Sequence, residues 1–527
     1  MNFDLAAPAQ LTAALAPDLL LITGALGLML WAAWRPDSVE HQRSVGIGAI
    51  ALVLATLAAV VFYWLRGYTA SPGGPIAVDS FRFAADVVFL LGALATLALS
   101  VDYNARERIG AAESHVLVLF ATAGMMILAA GRDLTVIFLG IEIMSVATYV
   151  LAGINRRSAR SAESALKYFL LGAFSTGFLL YGMALTYGAT GSTNLTEIGA
   201  RVAENGVLGS PLLLVGVALL LVGFCFKVAA APFHMWAPDV YDGAPVPIAA
   251  FMAAAVKAAA FAAFLRVWVE GFSDLGLTQQ WHTPVWWLAV LTMVVGNVVA
   301  LAQSSIRRLL AYSSIAHAGY VLVAVVVGTG AASAAVNPTA VTGSSAFLFY
   351  LLAYTLATMG AFGVVAALGH AGRHDDQIDD YAGLWHVRPG LAIAMSVFML
   401  ALLGFPLFGG MGFVAKYYML QAALRGGRAP QTQLAVWMVV TSVLSAGYYL
   451  RVLQVMFMRP RAEGAAAPAR TPALTSTVIG GAFALILIFG LFPSLVLTPL
   501  RGTAIQAPGV PAAAAAVPAA APAALAR

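Results

Sequence analysis

The chain has 527 residues, 61% of them hydrophobic and only 10% charged, with a formal net charge of +5. That is too little polar surface to coat a soluble core of this size, so the composition specifies a polytopic, all-α membrane protein. The single cysteine, Cys225, excludes a disulfide framework and a thiolate-held zinc or iron–sulfur site within the chain; without a basic run, nucleic acid is not an expected partner.

A window of about 20 residues per span divides the chain into fourteen apolar segments. They are 18–34, 45–65, 84–101, 115–131, 133–153, 164–187, 210–241, 245–268, 284–303, 309–330, 343–369, 389–424, 433–458 and 473–498. No basic residue precedes Arg35, so the first segment reads as a retained helix and not a cleaved signal. The seventh segment, with 32 residues, would stretch to about 48 Å as one helix, against a hydrocarbon core of about 30 Å. It contains Pro232, five residues after Lys227, and proline removes a donor and clashes with the preceding turn. The twelfth segment contains Gly404-Phe405-Pro406 and Gly409-Gly410. Both are expected to be broken helices, and irregular backbone at that depth is tolerated only when buried in protein or lining a wet cavity.

Fourteen arginines lie in the loops after odd-numbered segments and nine on the opposite side. That bias places both termini in the periplasm of a bacterial inner membrane. Residues 1–505 read as a single transmembrane bundle. Inverted five-helix units can be drawn over about 115–268 and 284–458, although the letters show no residue-level symmetry. The tail from Gln506 is Ala/Pro-rich, low in complexity, and reads as disordered.

Only four of the 28 basic residues are lysine: Lys167, Lys227, Lys257 and Lys416. All lie within or at the entry of apolar segments, whereas most arginines fall in loops and at segment ends. Lysine can gain and lose a proton; arginine cannot. Among the acidic residues, Glu142 in VIFLGIEIMSVATYV is the one expected near mid-membrane, where a lone carboxylate is protonated or paired. Glu142, Lys227 and Lys257 on three successive helices suggest a row of proton sites. Desolvation disfavours an ammonium and a nearby carboxylate favours it, so moving Glu142 would switch Lys227 between holding its proton and releasing it. The alternative is a static Glu–Lys pair pinning helix to helix.

For Lys416 the alternative is snorkelling to an interface. Lys167 reads either as a surface pair with Glu163, four residues earlier, or as an inward relay point. His317, in AYSSIAHAGY, is a relay group or a core histidine bonded to a serine or a carbonyl. His234 is expected to cap carbonyls freed at the break, and Asp239 and Asp242 to be turn residues. Asp133 is expected at a helix N-terminus, and Pro245 and Pro247 suit a helix start. No nucleotide loop, paired-His spacing or haem-attachment motif is present.

The stretches KVAAAPFHMWAPDVYDGAPVPIAAFMAAAVK, GIEIMSVATYVLAG, ESALKYFLLGAFSTGFLLYG, RRLLAYSSIAHAGY and GFPLFGGMGFVAKYY resemble the antiporter-like subunits of respiratory complex I, over all fourteen segments. Within that family the chain is most similar to the N type. The lateral helix of the L type has no counterpart, and the M type is expected to carry glutamate where Lys416 stands. The resemblance implies two inverted five-helix units around a mid-membrane polar axis. It assigns functional positions to Glu142, Lys227, Lys257 and Lys416, with Lys167 matching a lysine typical of the N type and His317 a variable polar position. It implies no cofactor in this chain, with NADH, FMN, iron–sulfur clusters and quinone in partner subunits. The implied partners are the other membrane-arm subunits, the bilayer and protons. Two rivals stay open: a subunit of a related multi-subunit cation/proton antiporter, and a structural scaffold with decorative ion pairs.

Overall fold

The computed structural model describes residues 12–505, apart from 36–37, 69–73, 205–209, 329–342, 370–375, 408–409, 426–429, 462–469 and 504. Gly409, the last two residues of the tenth expected segment, and the Ala/Pro tail therefore lie outside the described residues. Among the described residues twelve helices are long and apolar enough to cross a membrane, and two shorter apolar helices stand at the expected breaks.

The chain begins with α1 (Ala16–Trp34), α2 (Val39–Leu65), α3 (Ser80–Glu107), α4 (Glu113–Ala130), α5 (Leu134–Ala152) and α6 (Ala159–Thr190). A short α7 (Leu195–Glu204) leads to α8 (Pro211–Lys227), which the first break separates from α9 (Trp236–Gly243). Then follow α10 (Val246–Gly271), α11 (Leu275–Leu301), α12 (Ile306–Val327) and α13 (Gly343–Leu368). The second break divides α14 (Pro389–Leu403) from α15 (Gly410–Arg425), before α16 (Thr432–Met458), α17 (Ala473–Leu491) and α18 (Ser494–Leu500).

Helices α10, α12 and α13 are buried along nearly their whole length, whereas α1, α2, α6, α16 and α17 leave most of their surface outside the core. Burial on all sides explains why α10 is alanine-rich and, apart from Lys257, Arg266 and Glu270, apolar all round. Two helix pairs pack closely enough that a side chain would not fit. A Cβ on Gly124 of α4 would lie 2.6 Å from the Met144 nitrogen of α5, and one on Gly296 of α11 would lie 2.4 Å from the Ala316 nitrogen of α12. Small residues permit this approach where lipid supplies no hydrophobic drive for association.

Several expectations need correction. Helix α11 begins at Leu275 and not at 284, so Pro284 lies inside it. Helix α7 was not anticipated: its Leu195, Ile198, Gly199 and Val202 form one buried face, too short for a span-length window. The last expected span is divided at Phe492-Pro493. Asp133 caps α5 by accepting from the Thr135 N–H at 2.8 Å, and α10 begins at Val246 with Pro247 in its first turn, both as read.

Candidate functional site

The first break is built from a helix end and an indole. Lys227 closes α8; Val228 N still donates to Phe224 O at 3.0 Å, and Ala229 then turns to φ +56°. The freed groups find partners. Phe226 O accepts from Ala229 N at 3.0 Å and from Trp236 Nε1 at 3.1 Å, and Ala231 N donates to Thr292 Oγ1 of α11 at 3.0 Å. His234, expected in the capping role, leaves its Nδ1 without a partner. Trp236 does the capping because it opens α9 and stacks on Tyr168, with centroids 4.6 Å apart.

Helix α5 presents Glu142, Ser145 and Tyr149 at helical spacing toward this end of α8. Lys227 Nζ donates to Ser145 Oγ at 2.8 Å and Tyr149 OH at 3.4 Å, and sits 5.8 Å from the Tyr149 ring centroid. Glu142 is half-buried and accepts from Thr176 Oγ1 of α6 at 3.0 Å. The Glu142 carboxylate and the Lys227 ammonium thus take different partners and do not form an ion pair. The Ser145 hydroxyl, three residues along from Glu142, is what Lys227 holds.

Lys257 lies eleven residues into α10, directly after a π turn at Met252–Val256. Single π turns within α-helices are frequent at functional sites. Its Nζ donates to Ser314 Oγ of α12 at 2.6 Å and lies 5.7 Å from the Tyr241 ring centroid. The aromatic groups Tyr149, Tyr168, Trp236 and Tyr241 pack in succession between the two lysines.

Helix α12 carries the polar groups onward. His317, one turn past Ser313 and Ser314, has Nδ1 2.7 Å from Tyr350 OH of α13 and Nε2 3.3 Å from Tyr449 OH of α16. Tyr449 also hydrogen-bonds Ser313. Tyr320, a turn further, offers its ring to Lys416 at 4.7 Å. Lys416 does not snorkel outward: its Nζ donates to Leu403 O, the last carbonyl of α14, at 2.8 Å. A helix C-terminus supplies unpaired carbonyls and a negative dipole end to such a cation. Gly404 makes the approach possible, with φ +76° and no Cβ that would meet the Lys416 stem at 2.6 Å. A cavity of about 10 Å³, the size of one water, is lined by His317, Tyr350, Tyr354 and Lys416 among others.

Lys167 stands apart. It is 41% exposed and donates to two carboxylates, Glu163 Oε1 and Asp239 Oδ2, both at 2.8 Å. Asp239 and Asp242 are helical residues of α9 and not turn residues; Arg308 reaches Asp239 at 3.0 Å and Arg160 reaches Asp242 at 2.6 Å. These pairs tether α9 to the starts of α6 and α12.

Deep burial is not confined to the lysines. At the ends of the expected segments Asp86 is fully buried and Asp18 and Glu270 nearly so, and Arg82 and Arg266 are both 0% exposed, so lysine alone does not mark deep burial. Ser145, Tyr149, Ser314, Tyr320, Tyr350 and Tyr449 were not singled out in the sequence. The stripe Ser313, His317, Tyr320 on one face of α12 was the available signal. Among the described residues no cluster of His, Cys, Asp and Glu could hold a metal ion.

Chemically, the site is a row of three lysines whose contacts are hydroxyls, a carbonyl and aromatic faces. Residues 131–445 match the family model described as NADH:quinone oxidoreductase/Mrp antiporter, TM. NADH-quinone oxidoreductase subunit N of Gemmatimonas aurantiaca is 52% identical over 497 residues, covering 93% of this chain and 92% of the relative. The protein of the same name from Trichlorobacter lovleyi is 45% identical, covering 85% and 88%. A chain of respiratory complex I from Thermus thermophilus with bound aureothin superposes with a TM-score of 0.75 at 37% identity, covering 92% of this chain and all of that one. A chain of the Mrp complex from Dietzia shares the fold, with a TM-score of 0.76 at 21% identity.

Proposed function

The chain belongs to the family of NADH:quinone oxidoreductase/Mrp antiporter membrane subunits, and from that premise we propose that it translocates protons as a redox-silent, antiporter-like subunit of an NADH:quinone oxidoreductase. NADH, FMN, iron–sulfur clusters and quinone belong to partner subunits, and the chain sits among other membrane-arm subunits in a bacterial inner membrane.

One observation carries the proton-transfer reading. Lys227, Lys257 and Lys416 each donate to a neutral oxygen, whereas the buried Arg82 and Arg266 pair with carboxylates. A lysine paired directly to a carboxylate cannot lose its proton without stranding a buried anion, which costs several kcal/mol. A lysine held by a hydroxyl or carbonyl can, because the partner stays neutral throughout. Arg82 and Arg266 stand where charge is permanent, and Lys227, Lys257 and Lys416 where it comes and goes.

In this reading Glu142 and Lys227 form the gate, with Ser145 between them. Lys257 is the transfer site, His317 joins it to Lys416 across α12, and Lys416 connects to one aqueous face. Lys167 is a tether of α9, outside the row. Quinone reduction in partner subunits drives the cycle electrostatically.

Inverted units over about 115–268 and 284–458 have support in the backbone. Asp133, before α5, pairs with Asn194, after α6; Ser305, before α12, pairs with Gln377, after α13. The two bridges occupy corresponding places in the two halves. Termini on the periplasmic side follow from the arginine bias, which sharpens once the buried Arg82 and Arg266 are removed from the nine on the poorer side.

The test is Lys227→Ala in inside-out membrane vesicles. Loss of NADH-driven proton uptake, with the complex assembled, is expected; unchanged uptake would sink the gate assignment. The Mrp-type reading, which the shared family model keeps in view, predicts sodium-dependent transport without NADH.

A further inference from the structure

Away from the lysine row, three arginines and four carboxyls are gathered where α1, α3, α10 and the turn before α5 meet. Four of these groups form a closed set. Arg266 Nη1 donates to Asp79 Oδ2 at 2.8 Å and Glu270 Oε1 at 2.6 Å, and Nη2 donates to Asp79 Oδ1 at 3.0 Å. Arg132 Nε donates to Glu270 Oε2 at 2.9 Å. Two cations therefore meet two anions. Burial pushes Asp79, just ahead of α3, up, but the Arg266 guanidinium outweighs it and holds the carboxyl below its ordinary range.

The remaining three do not balance. Arg82 donates to Asp18 Oδ2, and its Nε stands 3.6 Å from Asp86 Oδ2 without making a hydrogen bond. Both Asp86 oxygens lack a partner, in a side chain with no exposure. The charged groups that face Asp86 are Arg82, Asp18, Asp79 and Arg266, and the last two are committed to each other. One guanidinium is left for two carboxyls. Among the described residues no other cation faces Asp86. An isolated buried carboxylate neutralises rather than stay charged. Asp18 has the direct bond to Arg82 and so keeps its charge.

We propose that Asp86 is a proton-binding site, a carboxylic acid at neutral pH that leaves Asp18 as the counter-ion of Arg82. The site is distinct from the lysine row and does not rest on its function. It lies six residues before Gly92 on α3, about 9 Å along the helix axis. A Cβ on Gly92 would lie 2.7 Å from that of Ala255, in the π turn before Lys257. The proton thus sits on the helix that backs Lys257, toward the end of α10 that carries Arg266.

Infrared difference spectroscopy of the full chain in lipid nanodiscs, comparing water with deuterium oxide, tests this through the carboxylic-acid carbonyl band. Asp86→Asn is expected to lose one acid's worth of that band. Asp18→Asn is expected to lose the same amount, because Asp86 must then ionise to balance Arg82. Arg82→Gln is expected to gain one, because Asp18 then takes a proton; this opposite sign separates the proposal from simple misfolding. A band unchanged in Asp86→Asn, or retained in Asp18→Asn, would overturn it.

Discussion

Ser314→Ala is the most informative single substitution at the second lysine. Lys257 is 3% exposed, and its one hydrogen-bond acceptor is the Ser314 hydroxyl at 2.6 Å. A hydrogen bond to a charged group contributes about 1.5–3 kcal/mol, and each 1.4 kcal/mol is about tenfold in an equilibrium. Removing the hydroxyl therefore lowers the occupancy of the protonated state by one to two decades, and transfer into Lys257 slows accordingly. Little structural penalty accompanies the change: alanine keeps the Cβ, and helix α12 prefers alanine to serine. The assay is the initial rate of NADH-driven proton uptake in inside-out vesicles containing assembled complex, with quinone reduction followed in parallel. Both rates are expected to fall together, with recovery in Ser314→Thr, which restores a hydroxyl. Native proton uptake in Ser314→Ala would refute the idea that Lys257 works through that hydroxyl.

At His317, each tyrosine hydroxyl contributes about 1 kcal/mol, so Tyr350→Phe alone should slow pumping modestly. The double change Tyr350→Phe/Tyr449→Phe should approach His317→Ala in the same assay. Lys167→Ala should leave thermal unfolding nearly unchanged and spare pumping, because the pair is exposed and Arg308 still holds Asp239; a pumping defect would put Lys167 back in the row. Gly296→Val should prevent stable folding, since its Cβ would meet the α12 backbone at 2.4 Å, read as loss of the assembled complex on native gels.

Hydropathy alone located nearly every long helix, and the two over-long segments announced their own breaks. Each of those inferences needs only residues adjacent in the chain. The misses share one cause, which is that partners come from distant segments. Arg82 and Asp18 are 64 residues apart, and Arg266 and Asp79 are 187 apart; each charge lies near a helix end, where a sliding window reads it as loop. Trp236 looked like one more aromatic because nothing in the letters shows an indole reaching back to Phe226 O. Lys227, Lys257 and Lys416 were visible because a cation in an apolar run is conspicuous from its neighbours alone. Their hydroxyl partners were not, since serine and tyrosine are unremarkable in such helices until a lysine is seen against them. Glu142 stands out in the letters as an acid in an apolar run, but only the structure shows Lys227 bonded to Ser145, three residues along α5 from Glu142.

The central claim is that the buried lysines must release a proton and not merely carry a charge. Lys227→Arg tests it most directly, because arginine keeps the cation and hydrogen-bond donors at the end of α8 but does not deprotonate. NADH-driven proton uptake by vesicles with fully assembled Lys227→Arg complex is expected to fall as far as in Lys227→Ala. Uptake at the native rate would contradict the claim and make Lys227 a fixed structural charge.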